Sequence, residues 1–402
     1  MPGHPVRPEI RLLDGRFYAA DPHPHFAWMR RHAPVYRDPE AGVWGVARHA
    51  DVLACSRSPE LFCNRHGQRP DAPPIPSMIN FDDPYHKRRR NLVSRGFTPR
   101  RVAAREPKLR GLARGLVERA LGLGRFDFVK EVAAPLPMMA IGDMLGVRPE
   151  DRELLLRWSD DLILGTSQTA APEAAAAAAR AFRDYAAYAR GVIAERRRSG
   201  SREDLIGVLV HAEIDGERLD DEALIHETLL ILVGGDETTR HVISGGVHQL
   251  MRHPRQWRLL AEEPAAMACA VEEMLRWATP IQNMNRTATR DVALGGQRIR
   301  EGDKVLLLYP SANRDEEVFP EPFRFDVTRR PNDHLAFGYG AHFCLGATLA
   351  RLELRVLFEE LLARIPGLEP RGPEPPALRP SNFITGIESL PVEVGPRPPR
   401  SG

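Results

Sequence analysis

Apolar and polar positions along this chain recur mostly with a helical period. Residues 173–198 (EAAAAAARAFRDYAAYARGVIAERRR) are strong helix formers with no internal proline. Segments 101–120, 219–253, 265–277 and 345–364 also predict helices. In the longest of them the apolar steps run through Ile225, Leu229 and Leu232 and resume at Ile243, Val247 and Leu250. Between these the same steps land on Asp236 and Thr239, just after Gly234-Gly235, so polar groups interrupt an otherwise buried face. Strand signals are short. Residues 35–36 and 43–46 flank a turn, 292–294 and 297–299 flank the hairpin pair Gly295-Gly296, and 305–309 form an apolar run. With no repeat and no long linker, the pattern predicts one domain over 1–402, mainly α with a small β portion.

Composition narrows the classes. The chain has 402 residues, 43% apolar and 27% charged, which is ordinary for a globular protein. Its longest tight apolar run, 229–233, is far short of the roughly 18–20 residues of a membrane span. The first residues, MPGHPVRPEIRLLDGRFY, place charges and prolines where a signal peptide needs an apolar stretch. Four cysteines make no disulfide framework, and a cytoplasmic protein is expected. The net charge of +2 gives no reason to expect a nucleic-acid partner. One segment departs from this balance: from 86 to 114 there are eleven Lys or Arg residues and one acid, Glu106. Such a run is either a solvated helix face or a patch for an anionic partner.

Chemistry concentrates at residues 337–346, FGYGAHFCLG, which precede a helical pattern. Cys344 lies just before that helix, where backbone N–H groups and the helix dipole favour a thiolate, and glycines let the backbone approach something bulky. Phe343 breaks the dinucleotide spacing, and neither a second nearby Cys nor HExxH supplies a zinc set. The loop resembles the FxxGx(H/R)xCxG signature of the cytochrome P-450 family at Phe337, Gly340, His342, Cys344 and Gly346. The resemblance implies a triangular helical prism around a buried haem b. It makes Cys344 the axial thiolate of the iron, with Phe337 packed beside the ring.

Other stretches are similar to the same family. Glu273 and Arg276 match its buried ExxR pair, and Arg324, in PFRF, is expected to complete a Glu–Arg–Arg network. GGDETT resembles the acid–alcohol motif over the distal face, which implies that Thr238 hydrogen-bonds dioxygen and Glu237 relays protons; Asp236 gets no role. His86 and Arg90 match an HxxxR pair for the haem propionates, joined by Arg286 and His342. The remaining arginines of 87–114 would face an acidic ferredoxin, supplied in turn by its NAD(P)H reductase.

Ile75, Met78, Ile79, Val233, Gly234, Met284, Phe383 and Ile384 fall where relatives line the substrate pocket, and their apolar character favours a hydrophobic substrate. The resemblance extends to actinobacterial steroid side-chain oxidases, which hydroxylate cholesterol or cholest-4-en-3-one at the terminal methyl and oxidise it on to the acid. The implied activity is therefore a monooxygenase on a sterol. Alternatives are a terpenoid, fatty acid or macrolide substrate, and a non-catalytic haem-thiolate sensor. A peroxygenase would usually lack the acid–alcohol pair present here.

Overall fold

The computed structural model describes residues 4–165, 171–214 and 216–396. Five helices position the site: α1 (Tyr85–Ser94), α2 (Glu106–Leu123), α3 (Asp221–Arg252), α4 (Met267–Ala278) and α5 (Ala347–Arg364). The 32 residues of α3 span about 48 Å at 1.5 Å per residue. The Asp220 carboxylate caps its start by accepting from the Ala223 N–H at 2.8 Å. α5 buries leucines and valines around most of its circumference, as a central helix must. It packs against α2, α3 and α4.

The expected helix over 101–120 is two helices. Pro99–Ala103 is capped by the Thr98 hydroxyl, and α2 begins at Glu106. Pro107 explains the break: it has no N–H for the preceding turn, and its ring would clash with the carbonyl four residues back. It is tolerated only in the first turn of α2.

The β portion is a five-stranded sheet built from β1 (Val35–Arg37), β2 (Trp44–Val46), β3 (Phe62–Cys63), β4 (Asn283–Ala288) and β5 (Lys304–Leu308). The spatial order is β1-β2-β5-β4-β3, with β2 and β5 parallel and the other pairs antiparallel. Strands Val292–Leu294 and Gln297–Ile299 pair around Gly295 and Gly296, whose φ of 53° and 76° suit the tight hairpin expected there. Along β4 the side-chain period of two puts Met284 and Arg286 on one face.

Behind the cysteine loop lies a buried charge knot. Arg276 donates twice to Glu273 at 2.7 Å, both side chains fully buried. It also reaches the carbonyls of Asn313 and Pro322, each at 2.9 Å. The third member is Arg329, whose Nε lies 3.1 Å from Glu273. Arg324 does not join: its side chain is 59% exposed and pairs with Glu321, and only its carbonyl reaches the knot. The turn after Pro322 faces Arg324 outward and brings Arg329, five residues on, back to the acid.

Removing one partner of a buried pair leaves a charge unmatched and costs about 3–5 kcal/mol. Arg329→Leu is therefore expected to lower thermal stability markedly, and Arg324→Leu to change it by no more than about 0.5 kcal/mol. Parallel melting curves of the two variants check the exchange of roles.

Candidate active site

A cavity of about 250 Å³ is bounded by α3, by the 337–346 loop with the start of α5, and by β4. Cys344 is exposed to this cavity, and its N–H donates to the Phe337 carbonyl at 2.9 Å. The loop's course depends on Gly340. Its φ is +75°, and a Cβ there would sit 2.4 Å from the Ser56 carbonyl oxygen. Phe337 lines the cavity under the Arg351 guanidinium, 4.7 Å from the ring centroid.

Burial pushes the Cys344 thiol up, against the Gly346 and Ala347 N–H groups and the charges of Arg90 and Arg351. The N–H groups at the helix start act in the expected direction, and desolvation outweighs them. A metal ion at the sulfur would favour the thiolate against this desolvation.

Four basic side chains converge on the same cavity. Arg90 donates to the Phe343 carbonyl at 2.5 Å and Arg286 to the Asn285 carbonyl at 2.9 Å. Among the described residues no carboxylate pairs with either. The His86 and His342 rings lie 4.0 Å apart, and His86 Nε2 is buried with no partner. Burial lowers both histidines, His342 to about 2 with help from Arg286. The arginines thus carry the positive charge, and the histidines act as neutral hydrogen-bonding groups.

On α3, Thr238 lines the cavity and its Oγ1 donates to the Gly234 carbonyl at 2.9 Å. Glu237 is turned away. Fully buried, it accepts from Arg240 at 3.0 Å and Arg379 at 2.7 Å. Those arginines reach the partly exposed Asp160 and Glu388, each at 2.7 Å. Burial raises Glu237 while Arg240 and Arg379 oppose it. Asp236 is fully buried with neither oxygen bonded, and burial, then the neighbouring Glu237, raises it well above the usual carboxylate range.

Of the residues expected in the substrate pocket, Met78, Ile79, Gly234 and Met284 line this cavity. Ile75, Val233, Phe383 and Ile384 do not. Val233 lies one helical step around α3 from Gly234, Phe383 packs under Arg69 at 5.1 Å, and Ile384 bridges to Ile281, which lines the cavity in its place. The carbonyl of Ile75 accepts from Ser77 and Asn80, shaping the loop before the lining residues. Glu353 lines the cavity and went unremarked in the sequence, where its signal is an acid within the apolar run of α5. Burial, then Asp236, raises it well above the usual range.

These residues fit haem. One cysteine faces the cavity, and among the described residues no group of three or more His, Cys, Asp or Glu could hold a bare ion, as suits a metal that arrives with its own macrocycle. Two unpaired arginines await anions, and the added Cβ of Gly234 or Gly346 would meet open cavity space. The fold and cavity together define a haem-thiolate protein. The Cytochrome P-450 family model matches residues 168–389. A "Steroid C26-monooxygenase" of Mycobacterium tuberculosis is 48% identical over 98% of both chains. A "Methyl-branched lipid omega-hydroxylase" of Mycobacterium bovis is 41% identical, covering 91% of this chain and 90% of that one. The structure of a Mycobacterium marinum cytochrome P-450 in complex with pseudoionone superposes with a TM-score of 0.89 at 35% identity, covering 98% of this chain and all of that one. The chain belongs to the cytochrome P-450 family. It is a haem-thiolate oxidoreductase of the monooxygenase class.

Two glycine variants separate loop geometry from cofactor space. Gly340→Ala is expected to destabilise the protein by about 1–3 kcal/mol through the left-handed backbone and the Ser56 clash. Gly346→Ala, whose Cβ would have Cys344 Sγ at 3.9 Å as its nearest neighbour, should leave apoprotein melting unchanged and lower haem content per chain. Melting and pyridine-haemochrome absorbance read the two effects.

Proposed function

We propose that this chain hydroxylates the terminal side-chain methyl of a sterol such as cholest-4-en-3-one, using dioxygen and two electrons from an acidic ferredoxin. The carrying observation is the convergence of Cys344, Arg90, Arg286 and Thr238 on one mostly apolar cavity. The substrate follows from the relative named for steroid C26, and the position of attack is supported by the second relative's omega-hydroxylase name.

In this reading Cys344 would hold the haem iron through its sulfur, Arg90 and Arg286 would take the propionates, and His86 and His342 would complete their hydrogen bonds. Haem, when bound, supplies dioxygen activation and the oxidising power for an unactivated C–H bond. The chain supplies position and protons. The Thr238 hydroxyl, satisfied by Gly234 at rest, is the cavity group that can turn to donate. Glu237, the residue before Thr238, is the proposed proton relay, held by Arg240 and Arg379, which also bind the partly exposed Asp160 and Glu388. Met78, Ile79, Ile281 and Met284 exclude water and hold an apolar substrate.

Lys87, Arg88, Arg95, Arg100 and Arg101 are exposed, and none has an acidic partner among the described residues, which supports a ferredoxin docking face there. Arg105, Lys108, Arg110 and Arg114 belong instead to internal ion pairs with Asp143, Glu359 and Glu360. No helix of the described residues is long and apolar enough to cross a membrane. Dependence on an NAD(P)H-linked ferredoxin supports a cytoplasmic setting.

Titrating the ferric protein with cholest-4-en-3-one is expected to give a saturable low-to-high-spin shift. A shift with methyl-branched fatty acids and none with the sterol would move the substrate to the second relative's class. Thr238→Ala should still consume NADH but release peroxide, with product per NADH falling roughly tenfold or more. Equal coupling in variant and wild type would remove Thr238 from proton delivery.

A further inference from the structure

We propose that Glu227 is a positioning residue that ties the roof of the substrate chamber to α3 and sets how fast ligands pass through it. The inference rests on the reading that the cavity receives the substrate. The roof is the short turn Met78–Asn80, whose Met78 and Ile79 side chains line the cavity. Glu227 lies on α3, one turn before the lining residues Leu230 and Ile231, and is fully buried. Its Oε1 accepts from the Met78 N–H at 2.8 Å. Arg89, on α1, stands 3.5 Å from the same oxygen and lays its guanidinium 5.5 Å from the centre of the Phe81 ring. The second oxygen, Oε2, is buried without a partner.

A carboxyl in this position is expensive for packing alone, because a leucine would fill the space without desolvating a charge. What the acid adds is a directional bond to one backbone N–H of an otherwise short and locally held turn. The turn's other ties come from the preceding loop: Asn64 donates to the Ile79 carbonyl at 3.1 Å, and the Gln68 N–H donates to Asn80 Oδ1 at 2.7 Å. Glu227 anchors it to the helix that carries Thr238.

The tie also senses pH. Burial lifts Glu227 to about 7, against Arg89 and the Met78 N–H. An open roof would wet the carboxyl and return it toward the ordinary value near 4.5. Protonation therefore favours the closed roof, and closure weakens as pH rises through about 7. The groups facing Glu227 are Arg89 from α1 and, through its neighbour Thr228, the Tyr185 hydroxyl at 2.9 Å. Tyr185 is raised far above this range, while His226 and His86 are lowered, so none of them titrates near 7.

Stopped-flow absorbance with imidazole, which ligates haem whatever the natural substrate, tests the latch in the haem-loaded protein. Wild-type exit rates, and entry rates expressed per neutral imidazole because the free ring itself titrates in this range, should rise from pH 6 to pH 8. Glu227→Gln keeps an acceptor for Met78 without a charge, so it should stay slow and lose the pH dependence. Glu227→Leu leaves the Met78 N–H without a partner, so it should exchange faster at both pH values, by about tenfold, the equivalent of one neutral hydrogen bond. Hydrogen exchange of the peptide covering 75–81 should speed up in the leucine variant and not in the glutamine variant. Wild-type rates and amide protection in Glu227→Leu, or an unchanged pH profile in Glu227→Gln, would overturn the proposal. A failed sterol titration with these imidazole results intact would remove the sterol and leave the latch standing.

Discussion

The loop that carries Cys344 has almost no regular structure of its own, and its position is set by the Glu273–Arg276–Arg329 knot behind it. Arg276 grips the carbonyls of Asn313 and Pro322, and the Asn313 side chain accepts from the Leu335 N–H at 2.7 Å, two residues before Phe337. A fixed charge on α4 is thereby translated, through three hydrogen bonds, into a fixed sulfur. Buried ion pairs are poor investments for stability when apolar packing would serve. Here the fork of one guanidinium organises several irregular segments at once, which no leucine could do.

Burial sorts the remaining titratable groups by sign. It drives the thiol and the acids Asp236, Glu353 and Glu237 upward, and His86 and His342 downward. Arg90 and Arg286 line the cavity and lack acidic partners among the described residues. The cavity is therefore positively biased before any cofactor enters, and it accepts a group that brings two carboxylates and a metal for the sulfur. A neutral apolar substrate meets no such bias and is held by shape.

What could be read in the sequence followed from how local its cause was. Cys344, Gly340 and Phe337 lie within eight residues of one another, so the loop's resemblance to the family signature could be seen in one short stretch. The hairpin at Gly295-Gly296 was equally local. Arg324 was misplaced because the choice between it and Arg329 depends on how the turn after Pro322 swings in space. Ile75, Val233, Phe383 and Ile384 failed as lining residues for a related reason: apolar character is visible in a sequence, whereas facing is not. Pro107 was in plain view and its helix break was still missed, since the flanking pattern stayed helical. Glu227 and Glu353 were hidden as single acids in amphipathic stretches, where an acid usually faces water.

The sheet has a consequence for the order of assembly. β2, near the start of the chain, pairs in parallel with β5, and the Trp44 indole bonds to Asp303, 259 residues away. On a ribosome the early strands wait until most of the polypeptide has emerged, and the cysteine helix follows later still. The pocket's walls thus come from opposite ends of synthesis. The cavity's walls are complete only when Cys344 and α5 are present, and a product lacking α5 would leave the apolar faces of α2, α3 and α4 uncovered.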